Sequence, residues 1–281
     1  MIHTPIKPML LHKSDTVPSG DGYIHQLKLD GHRCILSYSK LKGLRLYTRH
    51  QNDCTRQYPE ISSVDLDADE VVLDGELVAI VDGKPCFETL MERFQARKSV
   101  DRLAGSKPVS FAAFDILYLN GKDLTKLKLI DRLDILKKVV TPSSVITVCD
   151  SFEDGVRLFN SVKQLGLEGI VSKSKDSRYQ LDTRSSNWIK VKNYLFDVVQ
   201  IGAIRKSEFG WSLLKDGRYV GVTEFVPPAE RRAFANFAQK LVRGEDKNWI
   251  YLHPHINCKV KFQCYTKHNL LRTPSFVEFV I

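Results

Sequence analysis

Apolar and polar residues alternate through Tyr23–Leu29, and the run ends in Lys28-Leu29-Asp30-Gly31, a strand passing into a turn. Arg33–Ser39 and Gly43–Thr48 repeat the two-residue period, so this part of the chain predicts short strands in an antiparallel sheet. Glu70–Val81 is patterned more strongly. Val71, Val72 and Leu73 lead to Asp74-Gly75, an apolar stretch resumes from Leu77 to Ile80, and Val81-Asp82-Gly83-Lys84 supplies a hairpin turn. The period lengthens to that of a helix in Phe87–Lys98 and again in Leu129–Val140. Between them, Val109–Leu119 is rich in strand formers and is closed by Asn120-Gly121.

Ser151-Phe152-Glu153-Asp154 reads as a capping box, which starts a helix near Ser151. The helix stops at Gly166, which has no Cβ to oppose a left-handed cap. Glu168 then opens a strand over Gly169–Ser172, and Trp188–Lys192 forms a basic strand. A fresh alternating run, Phe196–Ile204, marks a domain boundary and divides the chain into residues 1–194 and 195–281. The second part offers short strands around one helix, Ala229–Leu241 after Pro227-Pro228, the layout of a small Greek-key barrel. The class expected is α+β, antiparallel sheets with flanking helices followed by the barrel. No internal repeat or low-complexity segment interrupts it.

Composition narrows the partners. The 281 residues carry a net charge of +9, with a pI near 9.2, and a basic surface favours nucleic acid because neutralising phosphates releases condensed counterions. Cys34, Cys54, Cys86, Cys149, Cys258 and Cys264 are scattered without a C-x-x-C pair, which points to reduced core residues and away from zinc ribbons or a disulfide framework. No apolar run approaches the roughly 18 residues of a membrane span, so a cytosolic protein without a membrane partner is expected. His253-Pro254-His255 lacks a third ligand and reads as a solvated turn.

The chemistry lies in an ordered series. Lys28-Leu29-Asp30-Gly31-His32-Arg33 puts a lysine at a strand end, a carboxylate two residues on, a glycine for the turn and an arginine reaching back. Val72-Leu73-Asp74-Gly75-Glu76-Leu77 adds an acid at a strand end, and Phe111-Ala112-Ala113-Phe114-Asp115 adds aromatics. Glu168-Gly169-Ile170-Val171-Ser172-Lys173 brings another acid, and Trp188-Ile189-Lys190-Val191-Lys192 sets two lysines on one strand face. Each element alone is weak; a K-x-D-G tetrapeptide is more often a charged hairpin. Together, and in this order, they resemble the covalent nucleotidyltransferases, the superfamily of ATP-dependent DNA ligases, RNA ligases and messenger-RNA capping enzymes. The resemblance covers nearly the whole chain. Phe87–Arg97 and Leu271-Arg272-Thr273-Pro274-Ser275-Phe276 look specifically like the compact bacterial and phage DNA ligases.

That resemblance implies an adenylation (nucleotidyltransferase) domain over 1–194, an OB-fold barrel over 195–281, and a monomer that seals nicks in duplex DNA in a bacterial or phage-infected cytoplasm. Lys28 would carry AMP as a phosphoramidate, which passes to the 5′-phosphate at the nick before the 3′-hydroxyl displaces it. Arg33 and Glu76 would contact the ribose, Arg49 the ribose or a nick-side phosphate, and Phe114 would stack on adenine. Arg184 would touch nucleotide phosphate, and Lys190 and Lys192 would grip the α-phosphate. Glu76 and Glu168 would hold Mg²⁺, with Mn²⁺ able to substitute, because hard carboxylate oxygens suit that ion.

Free lysine has a pKa near 10.4, so attack on phosphorus at neutral pH needs a depression of roughly three units, about 4 kcal/mol. Arg33, Arg49, Lys190, Lys192 and a metal ion are the cations available for it. Two departures from the family pattern stand out. Gln26 occupies the place where related enzymes often put a glutamate for the adenine amino group, and its amide oxygen can accept the same hydrogen bond without a charge. Related enzymes also continue past the Arg-x-Pro-x-Phe segment into a basic tail that helps orient pyrophosphate, whereas this sequence stops after Val277-Glu278-Phe279-Val280-Ile281, so lysine adenylylation is expected either to be slow or to depend on Arg272 alone. An RNA ligase, a GTP-dependent capping enzyme and a non-catalytic nucleic-acid-binding barrel are the rival readings. An NAD-dependent ligase is disfavoured by the missing zinc-finger cysteines.

Overall fold

The computed structural model describes residues 1–280 and divides into two compact units, Met1–Asn193 and Tyr194–Ile281. The first unit opens with β1 (Leu10–Ser14), β2 (Tyr23–Leu27), β3 (His32–Ser39), β4 (Gly43–Thr48), β5 (Glu70–Val81) and β6 (Lys84–Pro85). Helices α1 (Phe87–Gln95) and α2 (Val100–Ser106) follow, then β7 (Val109–Leu119), β8 (Lys122–Asp123), α3 (Leu129–Val139) and β9 (Ile146–Val148). It ends with α4 (Gly155–Leu165), β10 (Gly169–Ser174) and β11 (Arg184–Lys192).

These strands form two sheets. One has four strands in the order β1-β11-β10-β2; the other is built on β4-β3-β5-β7-β8, with β6 on β5 and β9 on β7. Most pairings are antiparallel, as the turn-rich sequence implies, but β1–β11 and β7–β9 are parallel. The main core fills the unit from Met9 and Ile24 through Leu73, Phe111 and Leu133 to Trp188. A smaller cluster joins Leu158 and Val162 of α4 to Ile170 and Val191, so α4 covers one face of the four-stranded sheet and leaves the other to the first unit's interior.

Several boundaries differ from the sequence reading for physical reasons. The helix expected to start near Ser151 starts at Gly155, because the Asp154 carboxylate, not the Ser151 hydroxyl, accepts the Arg157 N–H (2.8 Å). Its end at Gly166 is left-handed (φ 66°), as the missing Cβ allows. The helical stretch Phe87–Lys98 ends at Gln95, and a second short helix follows a left-handed Ser99 (φ 62°). Glu76, expected at a strand end, lies in the middle of β5, which runs unbroken through Asp74-Gly75 because Gly75 lets the Phe111 ring and the Ala112 carbonyl approach to within 2.7 Å of where a Cβ would stand.

The second unit contains β12 (Leu195–Arg205), β13 (Trp211–Lys215), β14 (Arg218–Thr223), α5 (Pro228–Ala238), β15 (Val242–Glu245), β16 (Trp249–Leu252), β17 (Asn257–Phe262) and β18 (Ser275–Val280). All its strands belong to one seven-stranded sheet. Strand β12 is shared along its length: Leu195–Gln200 pair with β17, and Ala203–Arg205 pair with β16 after an irregularity at Gly202. Helix α5 is one residue earlier at its start than expected, with Pro228 at its first turn, and its final turn becomes a 3₁₀ helix over Gln239–Leu241. Its Phe234 packs on Trp211, which also meets Phe276 and Phe279. The six cysteines are free thiols, and Cys34, Cys54 and Cys258 are buried. No helix among the described residues is long and apolar enough to cross a membrane.

One buried ion pair fastens α3 to β7. Arg132 and Asp115 are both fully buried, joined by two hydrogen bonds of 2.7 and 2.8 Å, while the remaining Arg132 nitrogen donates to the Leu127 and Ser177 carbonyls. Removing one partner leaves a charge in the core, so Arg132→Met should destabilise the protein by about 3–5 kcal/mol, measured by urea unfolding.

Candidate active site

Strand register builds the site. Lys173 stands opposite Trp188 and Ile24, Val171 opposite Lys190 and Gln26, and Gly169 opposite Lys192. Residues two apart share a face. Val171, Lys173, Lys190, Lys192 and Gln26 therefore lie on the face turned away from α4. Lys28 comes just past β2, its backbone N–H donated to the Gly169 carbonyl (2.9 Å).

From there the Lys28 ammonium donates to Glu168 (2.7 Å), and Lys192 holds the other oxygen of the same carboxylate (3.0 Å). All three side chains are largely buried, at 19, 8 and 15% exposure for Lys28, Glu168 and Lys192. Such shielding strengthens each attraction. The cationic crowding is visible at Lys190, whose pKa is lowered by burial first and then by Lys192, Lys28 and Arg184.

Gly31 is needed for proximity and not for a positive φ. A Cβ there would stand 2.3 Å from the Leu77 carbonyl oxygen and 2.6 Å from Glu76 Cγ, so the bare backbone lets the lysine loop lie against β5. Glu76 is thereby brought beside Lys28. Burial, with help from Glu168 and Asp74 and against Lys28 and Arg33, pushes the Glu76 carboxyl up to about 7.

Two recesses meet at these groups. The inner one is lined by Gln26, Phe114, Val171, Lys173 and Trp188, the outer one by His32, Arg49, His50, Arg184 and Lys190, and Lys28, Arg33 and Glu76 line both. Gln26 donates its amide N–H to the Ser151 hydroxyl (3.1 Å), which leaves the amide oxygen as its acceptor. Arg49 is exposed after β4, and Arg184 donates to the Leu11 carbonyl. Arg272 lies in the second unit, in the loop before β18.

Arg33 is held more firmly than a ribose contact requires. Its guanidinium grips Asp74 through two hydrogen bonds (2.8 and 2.6 Å) and donates to the Met9 carbonyl (3.1 Å). Burial opposes its charge, but Asp74 more than offsets that and keeps it protonated. Asp74 also accepts from the Tyr179 hydroxyl (2.6 Å). The guanidinium carbon lies 4.8 Å from the Phe114 ring centre, a cation–π distance.

The sequence reading gave no role to Lys173, which is 2% exposed. Its ammonium donates to the Phe114 carbonyl (3.2 Å) and sits 4.3 and 4.0 Å from the Phe114 and Trp188 ring centres. Burial lowers its pKa to about 8, with Arg33 adding to the effect. Counting by two along β10 from Gly169 would have placed this charge on the site face. Asp74 and Tyr179 were missed because their roles depend on partners far off in sequence.

A divalent cation fits the donor set on one condition. Glu76 is a hard oxygen donor whose crowded carboxyl a cation would relieve, whereas both oxygens of Glu168 are held by Lys28 and Lys192, so Glu168 would join the cation only by releasing one of those lysines. No ready-made cluster of three or more acidic, His or Cys side chains exists among the described residues, so water and phosphate oxygens would complete the shell.

The folded-state value of Glu76 lies above the usual 4.5, so the stabilisation its proton provides is present below that pH and is lost as pH rises to about 7. Glu76→Gln should therefore gain stability relative to the unsubstituted protein between pH 5 and 8, by no more than about 3 kcal/mol because solvent reaches the recess. Urea midpoints at the two pH values check this; an unchanged difference refutes it.

A family model for the ATP dependent DNA ligase domain matches residues 8–192. The SPbeta prophage-derived DNA ligase-like protein LigB of Bacillus subtilis (strain 168) is 37% identical over 274 residues, which cover 96% of this chain and 97% of that protein. A DNA ligase of Thermococcus fumicolans is 25% identical over 289 residues, covering 92% of this chain and 52% of that protein, about half its length. A structure from a study of Lig E DNA ligases superposes with a TM-score of 0.69 at 19% identity, covering 97% of this chain and 99% of that one, a likeness of fold. The matched domain contains the whole Lys28–Glu168–Lys192 constellation, and by that match and its relatives this chain belongs to the ATP-dependent DNA ligase family.

Proposed function

We propose that this protein is an ATP-dependent DNA ligase that joins 5′-phosphate and 3′-hydroxyl ends at nicks in duplex DNA through AMP carried on Lys28. The observation that carries this reading is the lysine of the K-x-D-G turn held 2.7 Å from the Glu168 carboxylate, at the junction of a recess sized by aromatic and apolar groups and a groove lined by cations. In the first step the Lys28 amine, having lost a proton, bonds to the α-phosphorus of ATP as the bond to pyrophosphate breaks. Lys190 and Lys192 neutralise charge on the α-phosphate oxygens, and Arg184 holds the outgoing phosphates. Next, an oxygen of the nick 5′-phosphate takes the AMP, the P–N bond breaks and Lys28 regains a proton. Finally the 3′-hydroxyl oxygen bonds to the 5′-phosphorus, and AMP leaves.

Phe114 and Val171 contribute flat or apolar walls for the adenine, and the Gln26 amide oxygen accepts from its amino group. Arg33 and Glu76 face the ribose, and Arg49 faces the ribose or the nick phosphate. Glu76, with Glu168 once it releases Lys28 or Lys192, would hold Mg²⁺, or Mn²⁺ in its place, which would supply positive charge to phosphate oxygens. We read the second unit as an OB-fold barrel whose basic strands bind duplex phosphates, supported by the shared, bent β12 and by the bridge from Phe225 to Ser275 that links the end of β14 to β18. The working species is proposed to be a monomer.

Incubation with α-labelled ATP and Mg²⁺ should give a covalent protein–AMP adduct at Lys28, with GTP giving none, and a chase with nicked duplex should move the label to DNA. Lys28→Ala should abolish both the adduct and sealing. Label retained by Lys28→Ala, or an adduct formed preferentially with GTP, defeats this reading.

A further inference from the structure

We propose that the second unit carries a stacking site for an unpaired nucleobase, in the groove lined by Gly202, Ser212, Tyr219, Arg243, Trp249 and Tyr251. This groove shares no lining residue with the Lys28 recesses and uses no residue of the adenylation chemistry. It lies on the outer face of the sheet. Val199, Ile201, Leu213, Val220 and Leu252 point into the core, so the alternate positions Ser212, Leu214, Tyr219 and Tyr251 turn outward.

Small residues and rings divide the work. Gly202 has no side chain where a Cβ would stand 2.5 Å from Leu214, and with Ser212 it leaves a depression in the sheet. Tyr219 is 52% exposed at one side, and Trp249 and Tyr251 are half-buried in the lining. Tyr251 is fixed in advance. Asp246 accepts from its hydroxyl (2.7 Å), so little of that side chain's freedom remains to be lost on binding, and the same carboxylate accepts from the Trp249 backbone N–H (2.7 Å), which holds the start of β16.

Charge selects the occupant. Arg243 lines the groove and makes no ion pair among the described residues, whereas the neighbouring acids are engaged: Asp246 by Tyr251, Asn248 and Trp249, and Glu245 by Lys206 (2.9 Å). Residues 194–281 hold thirteen Lys or Arg against eight Asp or Glu, and Arg218 and Lys247 flank Tyr219 and Trp249 in sequence. A concave site with exposed aromatic rings, a hydroxyl and a guanidinium suits a base on the rings with its phosphate on the arginine. An apolar peptide would leave that guanidinium unanswered. The unpaired strand beside a gap or flap is the class of ligand that offers both groups.

The test uses the full chain without ATP and two probes, a ten-nucleotide oligothymidylate and the same backbone with abasic sites. Trp211 is 2% exposed and Trp188 lines the inner recess, so quenching of tryptophan fluorescence is assigned to Trp249 by its loss in Trp249→Phe. Stacking worth about 1–3 kcal/mol per base predicts that the oligothymidylate binds at least about fivefold more tightly than the abasic strand. Tyr219→Ala should bring the two probes to within about twofold, and Tyr219→Phe should keep the preference. Arg243→Gln should weaken both probes alike and flatten the salt dependence. Formation of the Lys28 adduct by Tyr219→Ala at the unsubstituted rate shows that the variant is folded, and keeps this result separate from the ligase reading. Equal affinity for the two probes in the unsubstituted protein, or a base preference that survives Tyr219→Ala, overturns the proposal.

Discussion

A single carboxylate organises the catalytic region. Glu168 is shared by Lys28 and Lys192, and without it those two lysines, with Lys190 close by, would face one another in a poorly solvated space. The three groups come from the end of β2, the start of β10 and the end of β11, so their meeting is a statement about strand register. A slip of one residue in any of the three strands would turn the side chains to the face occupied by α4. The apolar contacts of Ile170 and Val191 with α4 thus help to hold the lysines in place from behind.

Around this centre, polar groups are buried in pairs and chains. Arg33, Asp74, Tyr179 and the Met9 backbone form one, and Arg132, Asp115 and the Leu127 and Ser177 carbonyls form another. Charged groups in a core usually contribute little net stability, because desolvation cancels much of the attraction. What they supply here is position: Arg33 is set against the Phe114 ring and at the junction of the two recesses before any nucleotide arrives. Lys173 is different, since its charge rests on a carbonyl and two aromatic faces.

Much of this was legible in the residues, and the failures share a cause. Val109–Leu119 and Gly43–Thr48 were readable to the residue because strand formers and turn signals agreed there. Ser151 was misread because its hydroxyl is committed across the sheet to Gln26, leaving Asp154 to cap the helix, and a local motif carries no record of a distant competitor. Asp74-Gly75 mimicked a break in β5, although the glycine is there for the Phe111 ring. The same blindness applies to the site: residue types and order pointed to Lys28, Glu76 and Glu168 as neighbours, but not to the Lys28–Glu168–Lys192 bridge or to Arg33 being tied to Asp74.

The parallel pairing of β1 with β11 reaches beyond architecture. Leu10 is in register with Arg184, and Ser14 with Val191, so β1 has no partner strand until more than 170 further residues have been made. Contacts this distant in sequence are slow to close. During translation the nucleophile therefore exists long before the carboxylate and lysines that surround it, and chemical competence arrives late, as a property of the nearly finished unit and not of any early fragment.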